Sequence, residues 1–500
     1  MSTATQHGVV DQKDSSLKLK RIAAEMRTVL DVRGVVTEHE QLRTYECDGL
    51  TGYRVVPGLV VLPETTEQVQ AVVRACWREG VPFVARGSGT GLSGGALPVA
   101  EGVLIVLTRM RRILEVDLPN QRVIVEPGVI NLWVTQKVVP DGYYYAPDPS
   151  SQLVCSIGGN VAENSGGAHC LKYGFTTNHV LGLEVVLPDG EIVNLGGKAL
   201  DTPGYDLVGA FVGSEGTLGI ATKITLRIVR KPETVQTLLA AFDSMDEAGG
   251  VVSDVIAGGI VPAAVEMMDH LSIQAAEAAV HAGYPLDAGG LLIVELDGPA
   301  AEVERQFEFV ERACKQHNAS MIRIAANDEE RVLMWKGRKS AFAAVGRISP
   351  DYYVQDGVIP RTALPQVLRE IADLGAKSGI RVANVFHAGD GNLHPLVLYD
   401  GDVEGEAERA EHVAGEILSV CLRHGGSITG EHGVGEDKKK YMPRMFTTDD
   451  LDTMQLLRCA FDPLRLSNPG KVFPTPRLCG EVPGHHRTHP LERAGLAEIF

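Results

Sequence analysis

Eight cysteines are scattered through the 500 residues, and none forms a C-x-x-C pair. That spacing excludes an iron–sulfur cluster built on a local motif. Single thiols in a long chain read instead as reduced and structural, so any electron-carrying cluster must sit on another chain. Long apolar runs are missing too. No stretch of 18 apolar residues occurs, so no membrane span is expected, and Met1–Lys20 has no apolar core of signal-peptide length. Excess positive charge is also absent. A formal net charge of −17 argues against a nucleic-acid binder, while a few local cations can still hold an anionic small molecule. No repeat or low-complexity linker is visible. The expectation from these absences is a cytoplasmic protein, one able to dock on a membrane through a partner. Its length is too great for one core and implies two or three domains.

What the chain does have is glycine in clusters. Gly58–Leu62 reads as a buried strand and Thr66–Glu79 as an amphipathic helix with a Thr/Glu capping signal. The strand Val81–Ala85 then runs into Arg86-Gly-Ser-Gly-Thr-Gly-Leu-Ser-Gly-Gly95. Gly89 to Gly94 satisfies G-x-G-x-x-G, but a dinucleotide fingerprint needs a helix directly after the loop. Here Ala96-Leu-Pro98 leads to a strand, Val103–Leu107, and then to a hairpin of Ile113–Asp117 and Arg122–Glu126. A nicotinamide cofactor is therefore rejected. The loop still suits a diphosphate, because closely spaced glycines let backbone N–H groups converge on one anion. The competing reading is a flexible surface loop.

Four more motifs follow in order: Pro147-Asp-Pro-Ser-Ser151, Ser156-Ile-Gly-Gly-Asn160, Asn164-Ser-Gly-Gly167 with Tyr173-Gly174, and Ser214-Glu-Gly-Thr-Leu-Gly-Ile220. Five ordered motifs over about 135 residues are far more specific than any one. Together they resemble the FAD domain of the vanillyl-alcohol oxidase and p-cresol methylhydroxylase (PCMH) superfamily. The resemblance implies that Arg86, Gly87, Ser88, Gly89, Thr90, Gly91 and Ser93 sit at the FAD pyrophosphate. It places Ser151, Gly158, Gly159 and Ala162 along the flavin and Ile220 near the adenine end, with Pro147, Gly166, Glu215 and Gly219 completing the cofactor-binding set. Some members attach FAD through a histidine in the first loop. None lies between Arg86 and Gly95, so the FAD is expected to be noncovalent. The alternative for Ser214–Ile220 is a tight turn before the strand Ala221–Arg227.

Lys231-Pro232 reads as a boundary. Beyond it, helices are expected at Val265–Ala282, Ala301–His317, Thr362–Ser378 and Glu406–His424, with strands at Leu291–Leu296 and Val382–Phe386. His387-Ala-Gly-Asp-Gly-Asn-Leu-His394 follows the latter strand, and its Gly-Asp-Gly turn can bring both imidazoles to one point. Some forty residues on comes Gly430-Glu-His-Gly-Val-Gly435. Two histidines and a glutamate make a competent borderline-metal set. One isolated histidine would read better as a hydrogen-bonding group in a Gly-rich loop, whereas the full set favours a site.

That combination resembles the C-terminal domain of FAD-linked D-2-hydroxy-acid dehydrogenases, among them D-2-hydroxyglutarate dehydrogenase, D-lactate dehydrogenase and the flavoprotein of glycolate oxidase. In the metal-binding members, the positions matching His387, His394 and Glu431 hold a divalent ion, for which Zn or Mn is expected. The position matching His432 supplies the base, and Arg338 in Trp335-Lys-Gly-Arg338, at the start of a helix, matches an arginine that clamps the substrate carboxylate. A surface salt-bridging arginine is an equal alternative. Asn392 either touches ligand or only shapes the turn. The hydroxyglutarate enzymes carry an asparagine where Leu396 stands and a lysine for the distal carboxylate where this chain reads Tyr353-Val-Gln355. A small monocarboxylate such as glycolate or D-lactate is thereby favoured. Asp462–Pro474 and Pro476-Arg-Leu-Cys-Gly480 extend the resemblance, which covers roughly residues 20–482.

The expected fold is α+β: a lead-in (1–52), a two-subdomain PCMH-type FAD-binding domain (53–231), an α+β cap domain (232–475) and a tail (476–500). The expected partners are a second flavin-type subunit and an iron–sulfur subunit, with peripheral attachment at the inner membrane through them. The alternatives are a stand-alone D-lactate dehydrogenase using quinone or cytochrome, a non-redox flavoenzyme of the same fold, and a flavin-bearing structural subunit. The intact His387/His394/Glu431/His432 set argues against the last.

Overall fold

Helix Thr66–Glu79 shows how the first half assembles. Thr65 accepts a hydrogen bond from the Gln68 N–H, and Gly80 ends the helix at φ 64°, the left-handed geometry that glycine adopts without penalty. Val69, Val72, Val73 and Cys76 recur at helical spacing and are fully buried. They pack on a four-stranded sheet, with help from Ile22, Ala23 and Met26 of the lead-in helix Gln12–Val29. The sheet order is Val35–Val36, Leu59–Val61, Val103–Val106, Phe83–Arg86, the last three being parallel. These features are seen in a computed structural model that describes residues 12–199 and 203–474. The tail reading for 476–500 lies outside the described residues.

No helix follows strand Phe83–Arg86, in keeping with the rejection of a dinucleotide fingerprint. Instead the chain enters a second, five-stranded antiparallel sheet in the order Ile113–Asp117, Arg122–Val125, Ile220–Arg227, Val180–Val186, Ile192–Gly196. The Ser156 stretch, read only as Gly-rich, contains a short helix, Ile157–Glu163, capped by the Ser156 hydroxyl. Two glycines in its first turn hide it from propensity, and burial of Ile157 and Val161 supplies what propensity does not.

The second half is one eight-stranded antiparallel sheet. Its path runs Met321–Ile324, Thr234–Phe242, Gly290–Gly298, Ala264–Asp269, Val382–His387, Asn392–Tyr399, Asp351–Val354, and Gly357–Val358 also pairs with Asn392–Tyr399. Both faces are covered, with strict alternation. Leu238, Ala240 and Phe242 enter one core, while Leu239 and Ala241 enter the other. Helices Met245–Ala257, Ala300–Gln316, Leu364–Ser378 and Glu406–Arg423 cover the first face. Helices His270–Val280 and Asp328–Val345 cover the second, which is turned toward the first half of the chain.

Three expectations are corrected. Val265–Ala282 is not one helix. Ala264–Asp269 is a central strand paired on both sides, and the helix starts at His270, capped by Asp269. Its alternating burial of Ala264 and Met268 against Val265 and Met267 has the period of a strand. Trp335–Arg338 lies within helix Asp328–Val345, which begins at the Asn327 cap. Among the cysteines of the described residues, six are free thiols, but Cys459 is disulfide-bonded, not reduced.

A buried polar lattice joins the halves. His169 Nδ1 lies 3.0 Å from Asp148 and Nε2 lies 3.1 Å from Glu295. Glu295 also accepts from Thr237 and Trp335, each at 2.6 Å. Burial opposes charge on His169, but Asp148 and Glu295 outweigh it and raise its pKa to about 10. Because the folded value is raised, this contribution to stability is fully present below the ordinary imidazole pKa of about 6.5. It is lost as pH climbs through about 10. Thermal unfolding followed across that window should show a falling midpoint in the native chain and a flatter profile in His169→Gln. Parallel profiles for the two proteins would remove His169 from this role.

Candidate active site

A cavity of about 630 Å³ extends from the first Gly-rich loop to His432, a size suited to a cofactor. Arg86, Gly87, Ser88, Gly89, Thr90, Gly91, Ser151, Gly158, Gly159, Ala162, Glu215, Gly219 and Ile220 all line it. Lys339, Phe342, Val354, Glu431 and His432 close it from the other half. The loop packs too closely against the Ser156 segment for a side chain at its first glycine: a Cβ on Gly87 would lie 2.1 Å from Ser156 Oγ. That cradle fits a diphosphate-bearing cofactor such as FAD.

Three expected cofactor residues lie off the wall. Ser93 is fully buried behind the loop, and its carbonyl accepts from the Glu436 and Asp437 N–H groups at 3.0 and 3.1 Å. The Pro147 carbonyl accepts from Asn131 at 3.1 Å. Gly166 instead faces the histidine cluster, where a Cβ would stand 2.7 Å from Glu431 Oε2. Arg86 borders the cavity, yet its guanidinium donates to the Tyr45 and Cys47 carbonyls at 3.3 and 2.6 Å, binding the lead-in over the loop.

The histidines come from the hairpin Val382–His387/Asn392–Tyr399. Its register sets His387 opposite Asn392 and Val385 opposite His394. His387 and His394 therefore share a face as diagonal neighbours, with ring centroids 5.1 Å apart. Glu431 Oε1 lies 3.3 Å from His387 Nε2 and 3.0 Å from His394 Nε2. Ligand atoms of these three residues fall within 4.8 Å of one another. His432 stacks on His394 at 4.9 Å and 14°. Burial pushes its pKa down to about 4, against the pull of Asp356. Burial also resists charge at His387 and Glu431, but each is dominated by its partners: Glu266 and Glu431 raise His387 well above the usual imidazole range, and His387 holds Glu431 well below that of carboxylates.

Two carboxylates hold the Gly430–Gly435 loop in place. Asp356, fully buried, accepts from the N–H groups of Gly430, Glu431 and His432 at 3.0, 3.2 and 2.9 Å. It also pairs with Lys438 at 3.1 Å. From the other half, Glu215 accepts from Val434 and Gly435 at 2.6 and 2.7 Å. The turn between them needs Gly433, which sits at φ 84° and whose Cβ would lie 2.0 Å from Glu163 Oε2.

Arg338 is 2% exposed, so it is not a surface arginine, and its Nη2 lies 2.6 Å from Glu266 Oε2. Asn392 is buried, with Oδ1 lacking a hydrogen-bond partner, and its N–H is accepted by Asp390 at 3.1 Å. Sequence reasoning missed Glu266 and Asp356. A carboxylate inside Ala264-Val-Glu-Met-Met268 was a signal, hidden by the helical reading of that segment. Asp356 adjoined Gln355, which was weighed only for substrate size.

Residues 57–196 match the FAD binding domain family, and residues 231–472 match the FAD linked oxidases, C-terminal domain. The chain is 53% identical over 450 residues to glycolate oxidase subunit GlcD of Escherichia coli (strain K12), covering 90% of each. It is 42% identical to glycolate oxidase subunit GlcD of Bacillus subtilis (strain 168), over 86% of this chain and 92% of the relative. A D-lactate dehydrogenase of Anaerostipes hadrus is 31% identical over 91% of this chain and 96% of its own length. In fold, 4-ethylphenol oxidase from Gulosibacter chungangensis superposes with a TM-score of 0.76 at 17% identity, over 95% of this chain and 99% of that one. For p-cresol methylhydroxylase the TM-score is 0.75 at 17% identity, over 93% and 98%. Two matched domains in order, relatives aligned along nearly the whole chain and the PCMH-type fold together show that this protein belongs to the FAD-linked oxidases and is an FAD-dependent oxidoreductase.

Proposed function

We propose that the protein oxidises a small D-2-hydroxy monocarboxylate, glycolate foremost and D-lactate next, and hands the electrons to a partner chain. The observation that carries this reading is the convergence of His387, His394 and Glu431 beside a buried His432, where the second half closes the cofactor cavity. His432, neutral near pH 7, takes the substrate hydroxyl proton at Nε2, the ring nitrogen on the Glu431 side. Arg338 anchors the substrate carboxylate: it stands behind the cavity wall, 2.6 Å from Glu266 beside His387, and its Nε is buried with no hydrogen-bond partner. Asn392 Oδ1, equally unpartnered, orients the hydroxyl. Bound FAD supplies the two-electron acceptor.

A divalent ion, Zn or Mn, fits the His387, His394 and Glu431 set. Both ring nitrogens of His394 are buried without a formed hydrogen bond, and Glu266 supports His387 from behind as metal-ligand histidines require. Such an ion would lower the hydroxyl pKa by chelating hydroxyl and carboxylate.

The absence of histidine between Arg86 and Gly95 supports noncovalent FAD. The lack of any C-x-x-C pair, and relatives named as subunits, support reoxidation through a second flavin-type subunit and an iron–sulfur subunit. Among the described residues no helix is long and apolar enough to cross a membrane, which is compatible with a cytoplasmic protein held at the inner membrane by such partners. A division near Lys231 is likewise our proposal for the domain boundary.

Substrate size follows from the cavity wall. Phe342 and Val354 line it, and Val354 pairs with the fully buried Leu396. Gln355 does not line it. Lys339 does, but Asp148 lies 3.1 Å from its ammonium. A second carboxylate thus finds no free cation among the described residues of this wall. With an artificial dye as acceptor, glycolate and D-lactate should turn over at least about tenfold faster than D-2-hydroxyglutarate or L-lactate, the tenfold corresponding to ~1.4 kcal/mol of discrimination. Preference for the dicarboxylate would refute the assignment.

A further inference from the structure

Glu266 stands between two groups to which the proposed reaction gives separate tasks. It is 1% exposed at the middle of strand Ala264–Asp269 and lies directly opposite His387 in the sheet. Its Oε1 accepts from His387 Nδ1 at 2.7 Å, and its Oε2 forms an ion pair with Arg338 Nη2 at 2.6 Å. His387 in turn faces Glu431 through Nε2 at 3.3 Å. The chain Arg338–Glu266–His387–Glu431 is therefore continuous, buried as far as His387 and reaching the cavity wall at Glu431, and drawn from two strands, a helix and a loop.

A carboxylate is the group this place requires. It offers two acceptor oxygens and no donor, so it can take the imidazole N–H on one side and the guanidinium on the other. Accepting from Nδ1 fixes the His387 ring orientation and leaves Nε2 aimed at Glu431. The ion pair keeps the guanidinium against Glu266, while Nε and Nη2 are both buried without a hydrogen-bond partner and so remain available to a carboxylate.

We propose that Glu266 is a positioning residue that couples carboxylate recognition at Arg338 to the orientation of His387. The inference rests on the reaction proposed above. A glutamine at this position has one acceptor and one donor side, so it satisfies either neighbour but not both.

The test uses FAD-loaded protein labelled with ¹⁵N in histidine. The downfield His387 Nδ1–H resonance is assigned by its loss in His387→Ala. Arg338→Ala, or the milder Arg338→Lys if the first folds poorly, should shift this resonance, and the shift should vanish in the Glu266→Gln background. Glu266→Gln should also raise the KM for glycolate by about tenfold or more with FAD content unchanged, and Glu266→Asp should recover part of that loss, since it keeps two acceptors. A His387 signal that ignores Arg338 replacement overturns the coupling. If glycolate fails to reduce the native flavin, the proposed function falls, while the resonance shift still decides whether Glu266 links the two groups.

Discussion

Replacing His432 by alanine should slow flavin reduction by about 10²–10⁴-fold, the usual range for loss of a general base. FAD and any bound metal should stay in place. The selectivity of that effect follows from the loop. Asp356 and Glu215 hold backbone N–H groups from Gly430 to Gly435, so removing one side chain leaves the loop's course unchanged. Burial pushes the His432 pKa down to about 4, while His387 is held up by its flanking carboxylates. A proton acceptor is needed at neutral pH, and His432 is the ring available. Rapid mixing of anaerobic enzyme with glycolate reads the rate directly. A variant within threefold of the native rate would take the base role from His432.

His394→Ala should behave differently, losing metal and substrate affinity together. His394 is 1% exposed, lies 3.0 Å from Glu431 and stacks on His432. In the proposed site its ring would act as ligand, spacer and support at once. Elemental analysis of protein purified without chelator should find about one divalent ion per native chain and a strong depletion in the variant, in line with the steep dependence of such sites on each ligand. The KM for glycolate should rise alongside. Native protein that is metal-free, fully active and indifferent to EDTA would leave the histidines acting only as hydrogen-bonding and acid–base groups.

The two halves of the site were unequally legible in the sequence. The cofactor cradle is encoded locally, because a glycine loop announces itself by composition, and most residues taken from the five motifs line the cavity. Ser93 and Pro147 show the limit of that reasoning: membership in a motif is not contact with the cavity, and both serve the packing of neighbouring segments. His387 and His394 were readable because a Gly-Asp-Gly turn between them implies a hairpin, whose register then places both on one face. Asp356 was not readable. Its partners lie more than seventy residues on, and nothing near it in the chain marks it as the acceptor for another loop's N–H groups. Glu266 was lost to a wrong period assignment. In an alanine-rich segment taken as helix, one glutamate looks like a solvated face, whereas in the strand Ala264–Asp269 it points into the site. The same face of the sheet carries Glu295, whose role in joining the halves depends on His169 from a distant segment.

The central claim is that a small 2-hydroxy monocarboxylate is oxidised at this cluster with FAD as the first acceptor. Anaerobic titration of the purified, FAD-loaded chain, following flavin absorbance, addresses it without any partner subunit. The account predicts stoichiometric bleaching by glycolate and by D-lactate, and little or none by L-lactate or D-2-hydroxyglutarate. A flavin that stays oxidised under excess glycolate and D-lactate, yet bleaches with dithionite, would contradict it.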